Sequence, residues 1–376
     1  MAESLLRQLR DGGVSPWLDG VTRDEVRSGT LRALIDDLGV SGVTTNPSLF
    51  AKSLAGEVSA YATSLRDLAS RDIGPEEAAR LLAAEDARAA CDVLAAVHQR
   101  SDGQDGWVSL EVDPRLADDA GATLAEVRAL VWLVDRPNLM IKIPATSAGV
   151  AAIADATAEG HNINVTLIFS VERYLEVLDA YAHGLRRALG AGRGIAGIRS
   201  VASLFVSRVD AALAAARPPR TGPPGGDPVL PGLANARRAH RAFAEAMGTR
   251  PWAELVAAGA NPQRLLWAST GVKDPALDPT TYVRGLALPG TIATMPPETL
   301  AATANAPAQV PDSRPPSDAQ DETEALRELD QVHDELMPRL LADGLRQFQM
   351  SWQVVLAVVE ERLAVERARR DGHGAG

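Results

Sequence analysis

Only three lysines occur in the 376 residues, and one of them, Lys142, interrupts an apolar run, LMIKIP. If that run is a strand, Ile141 and Ile143 face one side and Lys142 the other. Inside a closed barrel of such strands the amine stands away from water, which disfavours its charged form, and a neutral amine attacks a carbonyl carbon. Residue type alone gives more weight to a plainer role, a buried lysine neutralised by a carboxylate, so its neighbours have to decide. The same alternation puts Ser109, Glu111 and Asp113 on one face of WVSLEVD, Asn164 and Thr166 on one face of INVTLIF, and Ser203 and Phe205 on one face of VASLFVSR. Asp19 ends the run VSPWLD, and Asn46 follows GVTT. Any one of these reads most simply as a hydrogen-bonded core residue. Barrel interiors, however, are ordinarily filled with branched apolar side chains, and polar groups collect where C-terminal strand ends build a site. Carboxylates, amides, hydroxyls and an amine converging on one axis suit a polyhydroxylated substrate that carries a carbonyl.

Other chemistries lack their residues. The six histidines (His98, His161, His183, His240, His333 and His373) are scattered, neither HExxH nor a clustered ligand set occurs, and a single cysteine, Cys91, can form neither an internal disulfide nor a thiolate metal cluster. No GxGxxG opens a helix after a strand, and GxxxxGK[ST] and GxSxG are absent, which sets aside dinucleotide, nucleoside triphosphate and serine-hydrolase readings. His161, just ahead of the Asn164 run, is expected to cap an element or lie on the surface.

The elements that must position these groups form a repeating series. Eight β-type runs end or begin at VSPWLD, GVTT, WVSLEVD, NLMIKI, INVTLIF, IRSVASLF, RLLWAS and GTIATM, with helical patterns such as PEEAARLLAAEDARAACDVLAAVHQR and VERYLEVLDAYAHGLRRALG between them. Eight strand and helix units predict an α/β fold, a (β/α)8 barrel, rather than an open doubly wound sheet. Length permits one domain, here residues 1–369 with helical additions at both ends. Two stretches dense in proline and polar residues, 216–232 and 306–322, are expected to be loop or disordered insertions, and 370–376 a frayed tail. Phe348, Trp352, Val355 and Val359 recur at helical spacing, so a terminal helix is expected across the barrel. With 46% apolar residues the chain can bury a large core, and its net charge of -11 opposes nucleic acid or an anionic membrane as the main partner. Any phosphate must be held by a local cationic pocket. The opening MAESLLRQLRDGG lacks the basic flank and apolar stretch of a signal peptide, no apolar run is long enough to span a bilayer, and a cytoplasmic protein is expected.

Taken together, several motifs resemble the transaldolase family, in its longer bacterial, actinobacterial-type form. They are GVTTNPSLF (Gly42–Phe50), VSLEVDPRLADD (Val108–Asp119), NLMIKIPAT (Asn138–Thr146), NINVTLIFSVERY (Asn162–Tyr174), SVASLFVSRVD (Ser200–Asp210) and LWASTGVKDP (Leu266–Pro275), in family order. The resemblance implies a Schiff-base lysine at Lys142, with Asp19, Glu111 and Thr166 as its acid-base partners and no metal or organic cofactor. It implies Asn46, Asn164, Ser203, Phe205 and Arg208 along the sugar and phosphate positions, and Ser269 with Lys273 as further phosphate contacts. The reaction implied is transfer of a dihydroxyacetone unit from a ketose phosphate to an aldose phosphate in the pentose phosphate pathway, by a monomer or homodimer whose partners are small sugar phosphates. Two features depart from the family pattern. Ala293 in TIATMP stands where an asparagine is expected, and a DHG-like segment is replaced by the proline-rich stretch from Ala306. They motivate a second reading, a Schiff-base aldolase or a transaldolase of specialised sugar metabolism. A reading of another class is a sugar-phosphate-binding barrel without turnover, which binds a ketose phosphate and forms no covalent adduct.

Overall fold

The computed structural model describes residues 4–215, 230–308 and 319–373. Among these, eight short parallel strands close a barrel in chain order: β1 (Ser15–Asp19), β2 (Gly42–Thr44), β3 (Trp107–Glu111), β4 (Leu139–Pro144), β5 (Ile163–Ile168), β6 (Ser200–Phe205), β7 (Arg264–Ala268) and β8 (Ile292–Met295), with β8 pairing back to β1. Each lies within, or within a residue of, an apolar run read from the sequence. The (β/α)8 barrel is the observed fold, with a helix, Leu5–Asp11, ahead of β1 and a long helix, His333–His373, at the end.

Strand alternation divides the apolar residues into two cores. Leu18, Val43, Ile141, Val165, Leu204 and Ala293 face the helix layer, whereas Trp17, Met140, Val201, Leu266 and Ile292 fill the lower barrel interior. Each fully buried large apolar side chain stabilises by about 1.5–3 kcal/mol relative to exposure. Gly42 makes room for the largest of them, since a Cβ there would lie 2.4 Å from the Trp17 ring. Above this apolar floor the inward residues turn polar, and that is where the strands end.

Polar residues just beyond the strand ends also start the helices. Asn46, Asp119, Thr146 and Ser170 each accept a hydrogen bond from a backbone N–H three residues on and cap the next helix. Asp113 departs from the expected alternation for a related reason. β3 stops at Glu111, and the Asp113 carboxylate turns to its own backbone, accepting from Arg115 N at 2.9 Å and pairing with the Arg115 guanidinium at 2.6 Å. A second departure lies in β5, where Leu167 has φ 59° and the register with β6 shifts between Val165 and Ile168. This bulge turns Leu167 out of strict alternation and toward the C-terminal helix, where Gly344 allows close approach.

The terminal helix crosses the C-terminal face of the barrel, as its spacing predicts. Phe348 joins the inner core, Val355, Val359 and Leu363 pack on Leu54, Tyr61 and Leu82, and Trp352 is half-buried. The two proline-rich stretches lie for the most part outside the described residues. Helices begin at Pro231 and Ala319, and the terminal helix continues to His373, past the expected frayed end, while residues 216–229, 309–318 and 374–376 lie outside the described residues. None of the helices among the described residues is long and apolar enough to cross a membrane.

Candidate active site

A cleft of about 660 Å3 opens at the C-terminal strand ends beneath Phe348. It is lined by Asp19, Asn46, Lys142, Thr166, Ser203, Phe205, Arg208, Ser269 and Lys273, nine of the eleven residues expected from the sequence. Each arrives there for a local reason. Lys142 faces inward because Ile141 and Ile143 take the helix side, and only 5% of it is exposed. Its Nζ donates to the Thr45 carbonyl at 3.0 Å and lies 3.4 Å from Glu111 Oε2. β3 and β4 put Glu111 directly beside Lys142, and β4 and β5 put Asn164 on its other flank.

The two expected residues that do not line the cleft stand one layer behind it. Glu111 lies behind the lysine, with 5% of its side chain exposed, and burial pushes its carboxyl up to about 7 against the opposing pull of Lys142. Asn164 is fully buried in a chain of hydrogen bonds, its amide donating to Ser109 Oγ at 2.9 Å and its oxygen accepting from Ser203 Oγ at 2.7 Å. Ser203, expected from the sequence to help hold a phosphate, thus has its hydroxyl on Asn164 and lines the same cleft. Thr166 Oγ1 is buried and makes no hydrogen bond among the described residues, and Glu111 Oε2 has only its 3.4 Å ion pair with Lys142. A buried polar atom left so costs about 1–3 kcal/mol unless a bound molecule completes it.

The opposite wall is cationic. Arg208 lies 5.2 Å over the Phe205 ring and makes no ion pair or hydrogen bond among the described residues. The plain alternative for it, pairing with Asp210, is not realised, because Asp210 accepts from Gly232 N at 2.7 Å and from the Tyr282 hydroxyl at 2.8 Å. Burial lowers the guanidinium's hold on its proton, and Asp19 and Glu111 oppose that. Ser269, at φ 56°, meets Ser207 Oγ at 2.9 Å, and Lys273 is exposed at the rim. His161 lies at the other end of the barrel beside Glu159, 3.5 Å away, and does not reach the cleft. Ala293 faces the helix layer, so the departure from TVNTMP lies behind the sheet while its neighbour Thr294 lines the cleft.

Several residues of the site were not picked out from the sequence. Phe348 comes within 5.8 Å of Lys142 Nζ, measured to its ring centre, from a helix some two hundred residues away in the chain. Thr44 donates to Asp19 Oδ1 at 3.1 Å and meets Thr294 Oγ1 at 3.1 Å. Parity on GVTT and TIATM was the signal that could have found both threonines.

Residues 16–359 match the family described as Transaldolase/Fructose-6-phosphate aldolase. The chain belongs to that family. The transaldolase of Thermobifida fusca is 48% identical over 374 residues, covering 96% of this chain and 99% of its own, and that of Acidothermus cellulolyticus is 47% identical over 372 residues, covering 97% and 98%. Transaldolase 1 of Streptomyces coelicolor is 47% identical over 365 residues, covering 95% and 94%. Of the two activities in the family's description these relatives carry the first, and the protein is an enzyme, a transaldolase. The transaldolase cleft among the described residues holds no group of three His, Cys, Asp or Glu side chains arranged for a metal ion.

Proposed function

We propose that this transaldolase works in the cytosol on fructose 6-phosphate or sedoheptulose 7-phosphate in the pentose phosphate pathway, as a monomer or homodimer, and that Lys142 carries the three-carbon unit as a Schiff base. The observation that supports this most is a buried amine 3.4 Å from a buried carboxyl whose burial raises it to about 7. Neutral Lys142 attacks C2 of the ketose to form a carbinolamine. Glu111, acting through a water shared with the otherwise unpartnered Thr166 hydroxyl, protonates the leaving hydroxyl, and water departs to leave an iminium. Asp19 then takes the proton of the C4 hydroxyl, the C3–C4 bond breaks with its electrons entering the iminium, and an aldose phosphate leaves. The enamine on Lys142, held by Asn46 and Asn164, attacks the carbonyl of an acceptor aldose, and hydrolysis of the imine frees the new ketose.

Product formation with and without an acceptor aldose tests the whole reading. Transfer should depend on the acceptor, with little free dihydroxyacetone released in its absence. Rapid release of dihydroxyacetone without acceptor would assign the chain to aldolase chemistry, and tight ketose phosphate binding without an adduct would assign it to a binding barrel.

A carboxyl near 7 is protonated below that pH and able to donate, and ionised above it. Imine formation under saturating substrate should therefore slow as pH rises through about 7. Glu111→Gln should remove that inflection and lower the rate by roughly 10²–10⁴. If the inflection persists in Glu111→Gln, it belongs to another group.

Arg208, Ser269 and Lys273 are assigned to the phosphate. An arginine that makes no ion pair among the described residues, in a cleft of a chain carrying -11 overall, is the local cation a sugar phosphate needs. A charge-assisted contact of about 1.5–3 kcal/mol means that Arg208→Ala should lower kcat/KM for fructose 6-phosphate roughly ten- to a hundred-fold. Unphosphorylated fructose should be affected far less. Equal losses on both sugars would move Arg208 to the scaffold.

A further inference from the structure

We propose that Thr294, acting through Thr44, is a positioning residue for the Asp19 base, an inference that rests on the assignment of Asp19 to carbon–carbon cleavage. β1 lies between β2 and β8, with Asp19 opposite Thr44 and Trp17 opposite Thr294. Inward side chains of alternate strands share a layer in such a barrel, so Thr44 and Thr294 meet across β1, 3.1 Å apart and each 2% exposed. The direction of the hydrogen bonds is set by chemistry. An ionised carboxylate only accepts, so the Thr44 hydroxyl spends its single hydrogen on Asp19 Oδ1 and must accept from Thr294. Thr294 is itself held in place, because the fully buried Thr270 hydroxyl donates to its backbone carbonyl at 2.7 Å. Each bond in a chain of this kind polarises the next, which strengthens the donation to the carboxylate. Oδ1 is thereby occupied and the carboxylate plane set, leaving Oδ2 to serve as the base toward the cleft that all three side chains line. Without Thr294, Thr44 loses the donor that fixes its rotor, and the base loses its aim before it loses its place.

The test is Thr294→Val, which keeps the branched shape and removes the hydroxyl. With fructose 6-phosphate, kcat should fall roughly ten- to thirty-fold while KM stays within about two-fold and imine formation keeps its rate. Borohydride trapping should then recover mainly the intact ketose on Lys142 instead of the three-carbon unit. Thr294→Ser should restore the normal partition. Thr44→Val should be at least as slow, and the double variant Thr44→Val/Thr294→Val no slower than Thr44→Val, because one residue acts through the other. Normal partition in Thr294→Val, or additive losses in the double variant, would overturn the proposal, as would a Thr294→Val defect confined to KM or thermal stability. Asp19→Ala separates the two levels. If it accumulates the intact ketose and Thr294→Val does not, only the positioning role fails; if Asp19→Ala itself cleaves normally, the assignment of the base fails first.

Discussion

Borohydride reduction in the presence of fructose 6-phosphate should add one three-carbon unit to the wild-type chain, on Lys142, and none to Lys142→Arg. The variant places a cation beside Glu111, which lies 3.4 Å from the amine, so the buried carboxyl is not left unpaired and the fold should persist. A guanidinium stays protonated at any working pH and is a poor nucleophile, so the covalent route closes. Turnover should fall by more than about 10⁴-fold, the upper end of what one positioned group contributes. Intact mass and peptide mapping read the result, and a thermal melt confirms folding. Exposed Lys273 at the cleft rim and Lys52 on the helix Pro47–Gly56 are the internal controls. A stoichiometric adduct on either, or none on the wild type, removes the central claim.

Asp19→Ala should form the imine and stop there. Asp19 ends β1 and makes no hydrogen bond or ion pair with the Glu111 and Lys142 pair on β3 and β4 among the described residues, so the steps before cleavage should proceed without it. Trapping should recover an adduct with the mass of the whole ketose, while release of the aldose slows by roughly 10²–10⁴. The structure adds a reason to expect a clean result, because Thr44 and Thr294 remain to satisfy each other when the carboxylate is gone. Near normal aldose release from Asp19→Ala would assign the C4 proton to another base.

Parity was enough to identify most of the cleft. A strand has a period of two, so once Ile141 and Ile143 are assigned to the helix side, Lys142 has one direction left, and Ser203 and Phe205 are placed by Leu204 in the same way. The rule failed where the backbone stopped obeying it. Asp113 lies beyond the end of β3 and turns to Arg115, and the bulge at Leu167 re-aims the end of β5. Local side-chain bonds and a positive φ decide these positions, and neither shows in hydropathy. The Ala293 departure was legible as a difference in sequence, but its consequence was not, since only the closed sheet shows that it faces the helices.

The sequence by itself determined the barrel, its strand order and the inward direction of Lys142, Glu111 and Asn164, because alternation and the punctuation of helices are local properties of the chain. Which groups then touch was decided by closure. Bringing β8 against β1 places Thr294 beside Thr44 under Asp19, two residues 250 apart in sequence. Folding the terminal helix across the mouth sets Phe348 over Lys142, and the helix that begins at Pro231 presents Gly232 N to Asp210, which turns Asp210 away from Arg208. These contacts depend on the relative placement of elements far apart in the chain, and a pattern that repeats every two or every 3.6 residues carries no information about that placement.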